Sequence, residues 1–389
     1  MDSIKYRFIL VALALVIALA LFLPSTPVSD KLPSWWSDRV PKIALGLDLQ
    51  GGMYLLLKVN RQKAVDNNLE RLIENLKRRL KEEKITFDSI DIEGHKVTIY
   101  HGEDKKEEIE KIVASEFSTM IWVNNDDGKT FYKLSDGEIS RIKDWAVFQA
   151  LETIRNRIDK FGVREPIIQR QGNDEIVIQL PGLKDPKRAI ELIGKTAVLE
   201  FKLVDDEQSL KDALAGNMPK GSEIVYKKSV NKETGEVSMI PFLLRKETLL
   251  TGDLLTDAKV SIDQQFNEPY VSITFDRVGA RIFERITADN VGKRLAIILD
   301  DNVYSAPVIQ ERIGGGRAQI SCSFTIDESK DLAIVLRAGA LPAPVDIIQN
   351  ITVGPSLGRD SIEKGVKATI IGAVLVLFFM IFYYKLSGV

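Results

Sequence analysis

The chain has 389 residues, 45% hydrophobic and 28% charged, which suits two or three folded domains of about 100 to 200 residues each and excludes disorder as the dominant state. Its 53 Lys and Arg against 55 Asp and Glu leave a formal charge of -2, so there is no whole-chain electrostatic footprint for nucleic acid. A single cysteine, Cys322, excludes an intrachain disulfide framework and a cysteine-based metal cluster.

Phe8 to Leu23 is an unbroken apolar run, preceded by Lys5 and Arg7 and closed by Pro24. At 1.5 Å per residue it covers roughly 24 Å, close to the thickness of a bilayer core, so residues 1–24 are expected to form a membrane helix. The alternative is a signal peptide cleaved near Ala18-Leu19-Ala20. The run continues through that site, and a second apolar segment, Ala368 to Tyr384, lies within residues 365–385. That segment ends in aromatic residues and Lys385, as at a membrane interface. The basic N-terminus places the first end in the cytoplasm, and with two spans everything between them lies outside it.

Residues 25–42 include KLPSWWSDRVP, a linker suited to a membrane surface, although Trp35 and Trp36 fit core packing equally well. Residues 43–61 read as strand on both sides of Gly51-Gly52. An insertion over 62–134 shows a charged amphipathic helix through Lys84, strands ITFDSIDI and HKVTIY, a helix from Asp104 to Phe117 and strand MIWV. Ser135 to Phe161 has helical spacing and Gly162 as its stop, followed by two alternating strands around Gly172-Asn173-Asp174. Asp185-Pro186 opens a short helix that Gly194 stops. Residues 195–341 carry strands AVLEFKLV, EIVYKKSV, PYVSITF and RLAIILD, with helices near 207–214, 278–290 and 328–336. A last strand, Val345 to Val353, lies in 342–364.

The fold class is thus α+β. Residues 43–61, 135–194 and 342–364 give strand, helix, strand, strand, helix, strand, a ferredoxin-like split βαβ base. Residues 62–134 form an inserted α+β subdomain and 195–341 an inserted head. Gly194, Lys195 and Thr196 on one side, with Pro342 and Pro344 on the other, are candidate hinge residues, rigid docking being the alternative.

Chemistry is sparse. His95 and His101 flank one strand and are expected at the surface. The acidic stretch Val123 to Leu134 fails as a calcium loop, because Val123 and Leu134 occupy its end positions. Gly314-Gly315-Gly316 lacks the Lys-Ser/Thr of a phosphate loop and suits a turn or a close backbone approach. Asp48, between Leu47 and Leu49, reads as a strand carboxylate with a structural role. No constellation for an enzyme emerges and no cofactor is expected. For binding an unfolded polypeptide, the apolar stretch Met239, Ile240, Phe242, Leu243 and Leu244, with Leu249 and Leu250, is the candidate surface, a buried core its alternative.

Leu45-Gly46-Leu47-Asp48-Leu49-Gln50-Gly51-Gly52 after the first apolar run resembles the first signature of the SecD family of bacterial protein-export membrane proteins. ALETIRNRIDKFGVREPIIQRQGNDEIVIQLPG over 150–182, LDDNVYSAPVI and LRAGALPAP within 293–344, and Val353 to Gly358 with Gly354, Pro355, Leu357 and Gly358 are similar to the same family. Gln50 stands where a basic residue is common, and Cys322 where glycine is usual. The resemblance implies an accessory subunit of the Sec translocon that captures emerging preproteins outside the inner membrane. It implies SecF as partner, SecYEG with SecA and YajC in the wider complex, a lipid bilayer around the helices and no nucleic acid. It also implies export completed by the proton-motive force through a mobile head. Family members carry six membrane helices, the carboxylate implicated in proton movement lying in the fourth, beyond Val389; the front part of a longer protein and a natural two-span form are both open readings, the stop just after a membrane helix favouring the first. A passive tethered chaperone and a resistance-nodulation-division type exporter are the rival readings.

Overall fold

The computed structural model describes residues 2–25, 33, 36, 40, 46–163, 165–183, 185–230, 237–263, 267–321 and 324–384. Leu45, Cys322 and most of the 25–42 linker therefore fall outside the described residues. The chain divides into two units, Met53–Thr352 and a second made of Met1–Gly52 with Val353–Val389.

The second unit begins with helix α1, Asp2–Phe22, whose Phe8, Leu10, Leu13 and Leu21 are all more than half exposed. A short helix, α2 (Leu47–Gln50), follows and corrects the expectation of a strand before Gly51. The alternation Leu47-Asp48-Leu49-Gln50 has the strand period, but the Gly46 carbonyl accepts the N–H groups of Leu49 and Gln50, both at 3.1 Å, and closes a turn. Gly51 (φ 71°, ψ -177°) and Gly52 (φ 138°) then redirect the chain through backbone states open essentially to glycine. Asp48 consequently sits in a helical turn.

In the larger unit, β1 (Gly52–Val59) sends Met53, Leu55, Leu57 and Val59 to one buried face. Asn60 caps α3 (Arg61–Glu82) by accepting the Lys63 N–H at 3.0 Å. Helix α3 buries Val65, Leu69, Ile73, Leu76 and Leu80, a helical stripe, against the inserted subdomain. That subdomain comprises β2 (Ser89–Glu93), β3 (Lys96–Tyr100), α4 (Lys106–Glu116), β4 (Met120–Asp126) and β5 (Lys129–Leu134), with sheet order β2-β3-β5-β4. Strand β5 is a correction: the stretch read as an acidic turn is a hairpin around Gly128 (φ 71°), and KTFYKL buries Thr130, Tyr132 and Leu134 at every second position.

Ser135 caps α5 (Asp136–Phe161), accepting the Glu138 N–H at 3.1 Å, and Gly162 ends it in the left-handed conformation. The hairpin β6 (Ile167–Gln171) and β7 (Glu175–Pro181) follows in antiparallel register. Asp185 caps α6 (Pro186–Gly194), which runs through Gly194 rather than stopping before it, with Lys195 as its extended C-cap. Helix α5 and strands β1 and β7 enclose the core of the base.

The head contains β8 (Leu199–Leu203), α7 (Leu210–Leu214), β9 (Ser222–Val230), β10 (Val237–Arg245), β11 (Leu250–Thr251), β12 (Leu255–Ile262) and β13 (Pro269–Phe275). It continues through α8 (Arg277–Asp289), β14 (Leu295–Leu299), β15 (Asn302–Ser305), β16 (Arg317–Ser321) and α9 (Ile326–Ala338). Among the described residues it builds a six-stranded sheet, β10-β9-β15-β14-β8-β11, and a three-stranded sheet, β12-β13-β16. Phe201, Phe275 and Phe283 meet at its centre with ring centroids 5.2 to 6.0 Å apart. Gly316 (φ 65°) passes so close to α8 that a Cβ there would lie 2.5 Å from the Ala280 Cβ, the close approach expected of the triple glycine.

Strand β17 (Val345–Val353) returns to the base, whose sheet order is β17-β1-β7-β6. The end of β1 meets the start of both neighbours: the Val59 N–H donates to the Asp174 carbonyl at 2.8 Å and the Asn60 N–H to the Pro344 carbonyl at 3.0 Å. In the second unit α10 (Pro355–Tyr384) lies against α2, bringing the two glycine-rich signatures together. Its stretch Asp360–Tyr384 is long and apolar enough to cross a membrane; Tyr6–Phe22 of α1 is a shorter apolar helix.

Candidate functional site

Two segments join base to head, Gly194-Lys195-Thr196 and Leu341 to Pro344. They are tied to each other, the Leu341 N–H donating to the Thr196 carbonyl at 2.8 Å. The second is held to the base as well: the Pro342 carbonyl accepts from Asn67 Nδ2 at 3.4 Å, and Pro344 bonds Asn60 as above.

Behind both segments lies Arg157, a fully buried side chain. Helix α5 presents Ala150, Ile154 and Ile158 to the base core, and Arg157 occupies the same face, where the helical period asks for an apolar residue. Nη1 donates to the carbonyls of Leu192 (3.0 Å), Ile193 (3.2 Å) and Lys195; Nη2 donates to those of Gly339 (3.1 Å) and Thr196 (3.5 Å). Leu192 and Ile193 end α6, and Gly339 is the C-cap of α9. Carbonyls at helix C-termini lack intrahelical donors and carry partial negative charge, so a guanidinium with five donors is held there without a carboxylate in contact. Burial lowers the Arg157 pKa to about 10, opposed by the charge of Asp300, so the group stays a cation at neutral pH. Asp300 itself accepts from the Thr196 hydroxyl (2.6 Å) and the Val198 N–H (3.0 Å), fixing the first segment from the head side.

This neck is also where the two cores part. Leu192 packs into the head core while its neighbour Ile193 packs into the base core. Beside it Arg188 of α6 grips Asp331 of α9 with two donors (Nε at 2.9 Å, Nη2 at 2.8 Å), and its guanidinium lies 5.7 Å from the Phe161 ring centroid.

The apolar stretch chosen for polypeptide binding divides in two. Leu243, Leu244 and Leu250 are core residues and Leu249 packs against that core, because the last third of β10 is covered on both faces. Val237, Met239 and Ile240 are exposed, at 55, 53 and 45%, and Phe242 is half-buried. They lie on the edge strand of the six-stranded sheet. The Leu243 carbonyl faces outward to accept the Asp205 N–H at 2.9 Å; by the two-residue alternation of an antiparallel ladder, the backbones of Pro241 and Met239 face outward too. Pro241 has no N–H to offer, so the open edge is interrupted at its centre.

His101, expected at the surface, is buried: its Nδ1 meets the Gly102 carbonyl at 2.9 Å and its Nε2 the Thr130 hydroxyl at 2.8 Å, a satisfied core histidine in the β3–β5 corner. His95 is half-buried beside Gln62 (2.8 Å). Among the described residues no group of three or more His, Cys, Asp or Glu side chains is placed to hold a metal ion. Sequence reasoning missed Arg157, although its signal is present: a cation in step with Ile154 and Ile158 inside a helix of the base.

Comparison with known proteins places these features. A model described as the SecDF P1 head subdomain matches residues 222–343, ending within the second connection, and one described as the N-terminal P1 domain of protein translocase subunit SecDF matches 147–206. The protein translocase subunit SecD of Calditerrivibrio nitroreducens is 48% identical over 392 residues, covering 99% of this chain and 73% of that protein. That of Syntrophobacter fumaroxidans is also 48% identical, covering 100% of this chain and 74% of its own length. A crystal structure of SecDF in a super-membrane-facing form is 28% identical with a TM-score of 0.48, covering 98% of this chain and 39% of that one. With nearly half its residues shared along almost its whole length, the chain belongs to the SecD family of protein translocase subunits.

Proposed function

We propose that the protein works with SecF at the SecYEG translocon, in a complex that includes SecA and YajC, and drives the last stage of preprotein export with the proton-motive force. Helices α1 and α10 hold it in the bacterial inner membrane. The basic N-terminus faces the cytoplasm and residues 53–352 stand in the periplasm. The base is ferredoxin-like, a reading supported by the order β17-β1-β7-β6 for strands four, one, three and two of the motif. Its role is mechanical, binding and holding a polypeptide rather than transforming it.

The observation that carries this reading is the neck. Two cores are joined by two short segments, bonded to one another and gathered on one buried guanidinium, a joint suited to discrete head arrangements. Gly194, Lys195, Thr196, Pro342 and Pro344 are the hinge. The signature residues Gly46, Gly51, Gly52, Gly354 and Pro355 lie in the chain at or near the boundaries between the two units. Client polypeptide is held on the distal half of the β9–β10 hairpin, at Met239 and Ile240.

The test is a photo-cross-linker at Met239 or Ile240 in cells exporting a secretory precursor. Labelling of the precursor that stops when the membrane is uncoupled is expected. Absence of labelling during active export refutes client holding, and labelling and export both indifferent to the uncoupler refute the proton-coupled part.

A further inference from the structure

Between α5, α6, β12 and α9, next to the neck, an open cleft of about 590 Å³ separates base from head. Its apolar floor is formed by Phe161, Val260 and Ile334, and five cationic side chains ring it: Lys160, Arg188, Lys259, Lys330 and Arg337. Three carboxylates pair with these cations, and a fourth, Asp185, adds its charge beside Arg188. Asp331 is taken up by Arg188, Asp257 is shared by Lys259 (2.7 Å) and Arg337 (3.0 Å), and Asp327 is shared by Arg188 (3.5 Å) and Lys330 (3.8 Å). One positive charge remains in excess on a chain whose net charge is -2, and among the described residues Lys160 has no carboxylate partner.

The cations sit on four separate elements around an apolar floor rather than converging on one point. A compact anion such as phosphate calls for converging donors. Spaced charges around an apolar floor complement an extended ligand that alternates carboxylates with apolar groups. In a protein that handles unfolded chains, that ligand is a polypeptide segment rich in Glu or Asp and large apolar residues. The geometry points to this cleft as a second client subsite, selective for acidic-apolar segments. This inference rests on the client-holding reading above. Because Lys160, Phe161 and Arg188 belong to the base and the other lining residues to the head, a segment lying across the cleft binds the arrangement seen here more tightly than one with the head swung away. Occupancy and head position are therefore coupled reciprocally.

The test uses the full chain in detergent and a fluorescein-labelled peptide of alternating Glu, Leu and Phe, with a counterpart in which every Glu is Lys. Anisotropy is expected to show binding of the acidic peptide only, weakened about tenfold by the double substitution Lys160→Glu with Lys330→Glu and by raising salt from 0.05 to about 0.5 M. The pair Lys160→Gln with Lys330→Gln, expected to weaken binding by a smaller factor, controls for misfolding, which a melting curve also detects. Equal binding of both peptides, or unchanged binding in both double variants, overturns the subsite. Displacement of the acidic peptide by anionic-lipid vesicles but not by unlabelled peptide also overturns it, in favour of a lipid site. Cross-linking from Met239 in the Lys160→Glu, Lys330→Glu protein separates the two readings: if it persists while peptide selectivity is absent, only the cleft proposal fails.

Discussion

Replacing Arg157 by methionine keeps a long side chain in the neck and removes every donor. The carbonyls of Leu192, Ile193 and Gly339 lie 3.0 to 3.2 Å from the guanidinium, and at ~2 kcal/mol for each buried acceptor deprived of its partner their loss sums to about 6 kcal/mol. The charge that burial penalises is removed at the same time; a pKa lowered by burial to about 10 corresponds to ~3 kcal/mol regained. The net loss is about 3 kcal/mol, concentrated where α6, α9 and both connections meet. Hydrogen exchange at the Leu341 amide, which spans the two connections, should accelerate roughly 100-fold. The thermal transition should separate into two, since base and head lose their shared anchor. Arg157→Lys should resemble the methionine variant, because an ammonium cannot reach the carbonyls of Ile193 and Gly339 together. An unchanged midpoint with an unchanged Leu341 exchange rate in Arg157→Met would refute the reasoning.

Three further outcomes are expected. Pro241→Val supplies the missing outward N–H on β10 and should increase concentration-dependent association in sedimentation experiments; a variant that sediments as the parent does shows that Pro241 is not guarding the edge. Gly316→Ala sets a methyl 2.5 Å from the Ala280 Cβ at a φ of 65° and should cost about 3 kcal/mol, read as a lowered denaturation midpoint. Burial raises the Tyr132 pKa from 10.0 to about 12. The unfolded chain therefore releases this proton first, and stability that is intact below pH 10 falls as pH rises through 12. Melting curves over that range should fall less steeply for Tyr132→Phe, and parallel curves would sink the assignment.

The base was legible because its signals are local. Ser135 and Gly162 bracket α5, Asp185-Pro186 opens α6, and the β6–β7 hairpin alternates cleanly around its turn. What escaped reading depends on tertiary context. In the head β11 has only two residues and β15 four, and β12 has an irregular burial pattern because one of its faces is shared with α9. The run Met239 to Leu244 reads as one apolar stretch, yet Leu244 packs with Val204, Ala296 and Ile298 while Met239 and Ile240 are bare; only the position of the strand in the sheet separates them. Arg157 carries no local signal beyond its step with Ile154 and Ile158, since the carbonyls that make it tolerable in the interior come from segments some 35 to 182 residues away.

Attachment through two strands has a consequence that a single tether would not. A body held by one segment swivels about any bond of that segment, whereas one held by two segments of opposite chain direction, fastened to each other by the Leu341–Thr196 bond, is restrained against such swivelling. On the hinge reading proposed above, the neck works as a door hinge rather than a ball joint. On that reading, a pull on a client held at Met239 or Ile240 reaches the base as torque of defined direction rather than spinning the head idly in place.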